Sequence, residues 1–307
     1  MKKFVLLSGA SGLIGTALRA ELTAEGWECR QLVRRKAQGA GEVEWHPGKG
    51  AGPGLEALGE PEVAIHLSGA GIADQRWTEA RKKLIVDSRI DSTRALVAAL
   101  SGIEKKPRLL ICASAIGIYG DRGDEVLDEA SAHGKGFLPE TCERWEAAAA
   151  EAAKAGIRVI SARFGIVLAK EGGAMGRMLP IFRMGMGGPL GNGRQWMSWV
   201  SARDTARALA FLAGTEDGSA VEAVNVVSPN PVTNAEFTRE LGKALHRPAF
   251  LPAPAFALRL AFGEMADAAL LASTRVLPKR LEEKGFRFED ATLREAFSSA
   301  TAIAGKL

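Results

Sequence analysis

Three glycines, Gly9, Gly12 and Gly15, break into an apolar opening that reads FVLLSGASGLIG over Phe4–Gly15. A buried strand that turns tightly into a helix N-terminus is suited to hold a dinucleotide pyrophosphate, because bare backbone N–H groups and the helix dipole both face the anion. Ser11, Leu13 and Ile14 lie within that turn and are expected to touch the cofactor together with the glycines. About 20 residues beyond Gly15 stands Arg34-Arg35-Lys36. An acidic residue at that place accepts from the adenosine ribose hydroxyls, whereas arginine pairs with a 2′-phosphate. No Asp or Glu occurs from Gln31 to Gly41. Arg34 and Arg35 therefore favour NADP over NAD as cofactor, against the alternative of a solvated basic turn.

Residues able to move protons are few. The chain has one tyrosine, Tyr119, and four places on stands Gly123. Cys142 and Glu146 are also four apart, in an alanine-rich helical stretch, so they share one helix face. A thiol of ordinary pKa about 8.5 can transfer a proton, but a neighbouring carboxylate raises that pKa. His66 lies inside the apolar run VAIHL and reads as a structural histidine. Cys29, Cys112 and Cys142 are too few and too scattered for a disulfide framework or for metal-ligand spacing, so no metal is expected and a reducing compartment is.

The elements that must position these residues alternate. Leu13–Glu25 has apolar positions at helical spacing and ends at Gly26. Strands are expected at Cys29–Val33, Val43–Trp45, Val63–Leu67, Leu109–Ala113 and Val159–Ala162, with helices over 79–100 and 140–154 between them. Buried strands separated by helices predict a parallel, doubly wound α/β sheet. Leu67 ends one strand with Ser68 and Gly69 after it, and Ser114 ends another, at the carboxyl edge where open α/β sheets bind ligands. Beyond Leu168 the alternation loosens into a glycine- and methionine-rich segment with a helix expected at Met175–Phe182. Helices follow at Asp204–Leu212, Thr233–Leu245, Phe256–Leu271 and Thr292–Ser299, with strands at Ala223–Val227 and Gly285–Phe288.

The 307 residues are 47% apolar and 25% charged, ordinary for a globular protein with a large core. The net charge is only +4 and the basic residues are spread along the chain, so neither a nucleic-acid nor a membrane partner is expected. The start MKKFVLL is too short an apolar run for a signal peptide, and no stretch approaches the roughly 18–20 apolar residues of a membrane span. A cytoplasmic protein is expected. There are no internal repeats.

These motifs, SGASGLIG, HLSGAG, CASAIGIYG, ARFGIVL and GNGRQWMSWVSARDTARAL, together resemble the extended short-chain dehydrogenase/reductase superfamily, which contains the NAD-dependent epimerases and dehydratases. CERWEAA, GGPLGNGRQ and the tail RPAFLPAPAFALRL, RVLPKRL and GFRF resemble an epimerase-like subgroup of unknown substrate. The resemblance implies a Rossmann-type sheet with a smaller mixed α/β C-terminal substrate domain. Residues 1–166 and 198–227 would form the dinucleotide-binding domain, and 167–197 and 228–307 the substrate side. It adds Arg89 and Ile166 to the cofactor set and assigns Ser114 to a hydrogen bond with the substrate's oxygen.

The superfamily's reaction needs a tyrosine and, four places later, a lysine that lowers the phenol pKa. That dyad is absent, and Cys142 and Glu146 occupy its spacing. Ser114, Tyr119, Cys142 and Glu146 are thus the catalytic candidates, each set against a packing role. Gln195 and Trp199 mark the expected substrate contact, in a stretch whose apolar character suits a ligand less charged than a nucleotide sugar. Three readings stay open: an NADP-dependent oxidoreductase-like enzyme acting on a small carbonyl or alcohol, a non-catalytic NADP-binding sensor or scaffold, and a sugar epimerase or dehydratase. A homodimer is left open.

Overall fold

The computed structural model describes residues 4–47, 54–170 and 172–301. Seven strands form one fully parallel sheet: β1 (Phe4–Ser8), β2 (Glu28–Val33), β3 (Glu42–Glu44), β4 (Val63–His66), β5 (Leu109–Ala115), β6 (Arg158–Phe164) and β7 (Val221–Val226). Their order across the sheet is β3-β2-β1-β4-β5-β6-β7. The strand order reverses at β1, so the chain leaves β1 and β4 in opposite directions and opens a crevice at their carboxyl ends. This is the Rossmann-type α/β sheet expected from the sequence, and each of its seven strands overlaps one expected there.

Apolar runs such as Leu109-Leu110-Ile111 are buried on both faces because helices cover both. Helix α1 (Leu13–Ala24) packs beside the later helix α5 (Ala202–Gly214), while α2 (Glu79–Gly102) packs beside α3 (Phe137–Ala150). Thr78 starts α2 by accepting from the Arg81 N–H. Around the sheet lies the main core, from Val5 and Leu18 to Leu209 and Val224. A second core joins Leu168, Met175, Phe182, Trp199, Phe237 and Phe297. It is built by the short strand pair Ile166–Leu168 and Trp199–Ser201 with α4 (Gly173–Arg183), α6 (Asn234–Leu245) and α8 (Leu293–Thr301). Thr233 and Glu236 cap α6 reciprocally. No helix among the described residues is long and apolar enough to cross a membrane.

Two expected elements differ. Gly285–Phe288 forms no strand and pairs with none of the described sheets. Phe286 closes the turn after Lys279–Glu283 through its N–H to the Leu281 carbonyl, and its ring packs on Phe211 and Phe288. The helix expected over Phe256–Leu271 stops at Phe262, where Gly263 takes φ +62 and ends α7 (Ala255–Phe262), and one wide turn over Ala266–Leu270 follows.

His66 is structural, as its apolar setting suggests. Ser92 gives its proton to the Ser88 carbonyl, so His66 Nε2 donates to Ser92 Oγ at 3.1 Å and Nδ1 accepts from Ser8 Oγ at 2.6 Å. Burial pulls its pKa from 6.5 down to about 4. The fold keeps the ring neutral, whereas the unfolded chain protonates it near the ordinary value. Its contribution is therefore complete above pH 6.5 and is lost as pH falls towards 4. Urea unfolding at about pH 7 and about pH 5 should differ by about 2 kcal/mol on this account, and His66→Gln should flatten that part of the profile. An equally steep profile in the variant would rule His66 out as its source.

Candidate functional site

The turn after β1 is built for close approach. Gly9 has φ +73, and a Cβ there would lie 2.8 Å from the Leu67 carbonyl carbon; at Gly15 it would lie 2.2 Å from the Gly9 carbonyl oxygen. Helix α1 therefore starts tight against β1 and close to the loop after β4. Gly12 precedes α1 with no side-chain cap, which leaves the first N–H groups of a twelve-residue helix to an anion. Ser11, Leu13 and Ile14 sit at this helix start, and Leu67, Ser68 and Gly69 face it across the crevice. A Cβ on Gly69 would come 3.4 Å from Arg89, whose guanidinium lies over the Trp145 ring and donates to the Ile85 carbonyl. Burial lowers the Arg89 pKa from its ordinary value. The glycines, the uncapped helix and a half-buried cation fit a dinucleotide diphosphate. Gly15→Ala should displace α1, destabilise the fold by about 1–3 kcal/mol and weaken dinucleotide binding, read by calorimetry; unaltered binding would show that the helix approach is not required.

Arg34 and Arg35 have different fates at the end of β2. Arg35 is held by Glu42, with Nη1 and Nη2 at 2.7 and 2.5 Å from its two carboxylate oxygens. Glu42 lies one residue past the acid-free window. Arg34 is exposed and makes no hydrogen bond or ion pair with the described residues, so its guanidinium is open to a phosphate.

The proton-bearing candidates meet in a polar row at the carboxyl edge. Strand register places Ser114 of β5 beside Arg163 of β6, and Arg163 beside Asn225 of β7. Glu146 reaches this row from α3. Ser114 Oγ donates to Glu146 Oε1 at 2.6 Å, and Arg163 donates to both carboxylate oxygens at 2.8 Å. Arg163 Nη1 also donates to the Tyr119 hydroxyl at 2.9 Å, which in turn donates to Asn225 Oδ1 at 2.7 Å. His133 Nε2 accepts from Arg163 Nη2 at 3.3 Å, and its Nδ1 donates to Glu143. Although burial opposes its charge, the Glu146 pair holds the Arg163 pKa above the ordinary arginine value.

The four catalytic candidates divide accordingly. Ser114 and Glu146 form a bonded pair. Tyr119 is fully buried with both its donor and acceptor sides used, and burial raises its pKa. Cys142 packs with Ile118, Tyr119 and Leu127, and burial followed by the Glu146 charge pushes its thiol up to about 12. It stays a neutral thiol at physiological pH.

On the substrate side, Trp199 is fully buried in the second core and its indole N–H donates to the Asn230 carbonyl. Gln195 spends its amide on the Leu190 and Leu270 carbonyls and so ties two loops together. Ile166 follows the end of β6, its N–H on the Ser198 carbonyl. The Trp199 indole N–H and the Gln195 amide N–H groups are thus both engaged within the protein.

Sequence reasoning did not single out Arg163, Glu42 or His133. Arg163 had a readable signal: it is a cation within the otherwise apolar strand pattern ISARFGIVL, and a charge in such a strand requires a buried partner.

A family model described as the NAD dependent epimerase/dehydratase family matches residues 5–226. A second, described as a domain of unknown function, matches residues 253–300. An epimerase family protein of Mycobacterium leprae is 42% identical over 300 residues, covering 98% of this chain and 96% of that protein. The crystal structure of human epimerase family protein SDR39U1 with NADPH superposes with a TM-score of 0.88 at 31% identity, covering 97% of this chain and 99% of the human one. MoeE5 in complex with UDP-glucuronic acid and NAD shares the fold at 20% identity and a TM-score of 0.77, over 98% of this chain and 99% of that one.

Proposed function

Because the chain belongs to the NAD-dependent epimerase/dehydratase family, we propose that it is an NADP-dependent oxidoreductase acting on a small alcohol or carbonyl compound, with Ser114 and Glu146 replacing the tyrosine–lysine pair. One observation carries this reading: the Ser114 hydroxyl gives its proton to a carboxylate that Arg163 holds in place, at the strand edge beside the nucleotide crevice. Ser114 then turns oxygen lone pairs, not its proton, towards a ligand. That polarity suits the hydroxyl of an alcohol.

The nicotinamide, when bound, supplies or accepts the hydride. In the oxidising direction the substrate hydroxyl gives its proton to Ser114 Oγ while the serine proton passes to Glu146; reduction runs the transfers backwards. Arg163 keeps the carboxylate oriented, and Tyr119 and Asn225 hold the other side of the guanidinium. Arg34 supports NADP over NAD, as does the NADPH in the human relative's structure. No nucleic-acid partner and no metal is part of this reading, and cytoplasmic residence remains an expectation of it.

The test is to purify the protein, identify any retained dinucleotide, and follow reduced-nicotinamide absorbance against a panel of alcohols and carbonyls. Ser114→Ala should lower turnover by about 10²-fold or more, the scale of a lost positioned acid–base group. Turnover that survives in Ser114→Ala would remove the serine from the reaction. The second reading, a protein that binds NADP without turning it over, is favoured by the closed state of Tyr119 and the neutral thiol of Cys142. It predicts a retained dinucleotide whose redox state no member of the panel alters. A sugar epimerase or dehydratase reading finds no titratable group in the stretch Gln195–Trp199 to support it.

A further inference from the structure

The basic residues that are scattered along the sequence are partly gathered by the fold. After α4 the chain runs beside the segment that follows α6, and the two are stitched at successive points. Arg247 Nε donates to the Arg183 carbonyl at 3.0 Å, the Leu251 N–H to the Gly187 carbonyl at 3.1 Å and the Ala253 N–H to the Pro189 carbonyl at 2.9 Å. From this double ridge project large apolar side chains that no neighbour covers: Met184 is 62% exposed, Met186 51%, Phe250 71% and Leu251 46%. Beside them a shallow cavity of about 470 Å³ is lined by Arg239, Lys243, His246, Arg247 and Phe250. Four permanent cations, Arg183, Arg239, Lys243 and Arg247, thus surround the ridge. The acid seen pairing among them is Glu240, shared between Arg239 and Lys243.

We propose that this ridge docks the protein on an anionic lipid bilayer, with Met184, Met186, Phe250 and Leu251 entering the interface and Arg183, Arg239, Lys243 and Arg247 contacting the lipid phosphates. The chemistry favours a bilayer over a folded partner. The apolar groups stand out from the closing turn of α4 and from the loop after α6, which a soft acyl boundary accommodates but a rigid protein face would have to match with pockets. Unbranched methionines adapt to such a boundary. Basic side chains beside inserted apolar ones is the arrangement that binds anionic surfaces, each cation adding about 1 kcal/mol, close to a fivefold gain in partition. The attachment is peripheral and reversible, and does not depend on the reaction proposed above.

The experiment is co-sedimentation of the full-length protein with phosphatidylcholine vesicles, with and without phosphatidylglycerol. Binding is expected to the anionic vesicles alone and to fall as sodium chloride is added. Phe250→Ser and Met184→Ser, both on exposed positions, should each weaken binding several-fold, and Lys243→Ala with Arg247→Ala by about 25-fold together, from two cations at about fivefold each. Circular dichroism and NADPH binding should stay unchanged in all of them. No sedimentation with anionic vesicles would overturn the proposal, as would equal binding by the variants. Concentration-dependent self-association that Phe250→Ser abolishes, without vesicle binding, would also overturn it and give the ridge to a second copy of the chain.

Discussion

Glu146→Ala should lower the free energy of unfolding by about 3–5 kcal/mol, because it leaves the Arg163 guanidinium buried without its counter-charge. The Arg163 side chain is only 4% exposed and that of Glu146 15%, so water cannot replace the lost partner. Arg163→Ala should cost a similar amount and in addition release the Tyr119 hydroxyl. Removing both charges together, as Glu146→Leu with Arg163→Met, should cost less than the sum of the two single changes, since the second removes the charge that the first exposed. Glu146→Gln keeps an acceptor for Ser114 but forfeits the ion pair, and should fall between wild type and Glu146→Ala. Chemical denaturation of the set reads this directly. Strict additivity would mean that the pair is not the unit the geometry describes.

Arg34→Ala should weaken NADPH binding by more than tenfold while leaving NADH binding nearly unchanged. A charge-assisted contact to a phosphate contributes about 1.5–3 kcal/mol. Arg35→Ala should have a smaller effect, because Arg35 already spends its guanidinium on Glu42. Calorimetric titration with both dinucleotides decides between them. A larger loss in Arg35→Ala would show that the Glu42 pair opens when the cofactor enters. Equal losses for NADPH and NADH in Arg34→Ala would mean that this arginine does not read the 2′-phosphate.

The contrast between Arg34 and Arg35 illustrates how far the chain could be read before its structure. Local signals were strong: Phe4–Gly15 is strand, turn and helix because apolar run, glycines and helical spacing are each legible within a few residues. The same holds for β4, β5 and α6. Long-range pairing was less so. That Glu42 takes Arg35 depends on β3 running beside β2, and that Glu146 takes Arg163 depends on α3 packing against β5 and β6. Neither partner is near the other in sequence at helical spacing. Trp199 read as a ligand contact because an apolar stretch looks the same whether it faces a substrate or a second core. Gly285–Phe288 read as a strand because its alternation is genuine, but a strand also requires an edge to pair with. The apolar ridge was illegible for a like reason, since Met184 and Phe250 become neighbours only through the stitching of two distant segments.

The Tyr119 hydroxyl, held between Arg163 and Asn225, also makes the molecule easy to watch. It is the single tyrosine of the chain, so biosynthetic replacement of tyrosine by fluorotyrosine yields one fluorine resonance, with no assignment needed. That resonance sits one hydrogen bond from the guanidinium that holds Glu146. Any ligand that draws on the Ser114–Glu146 pair will be felt there, which turns a closed, fully bonded phenol into a screening signal for compounds that enter the site.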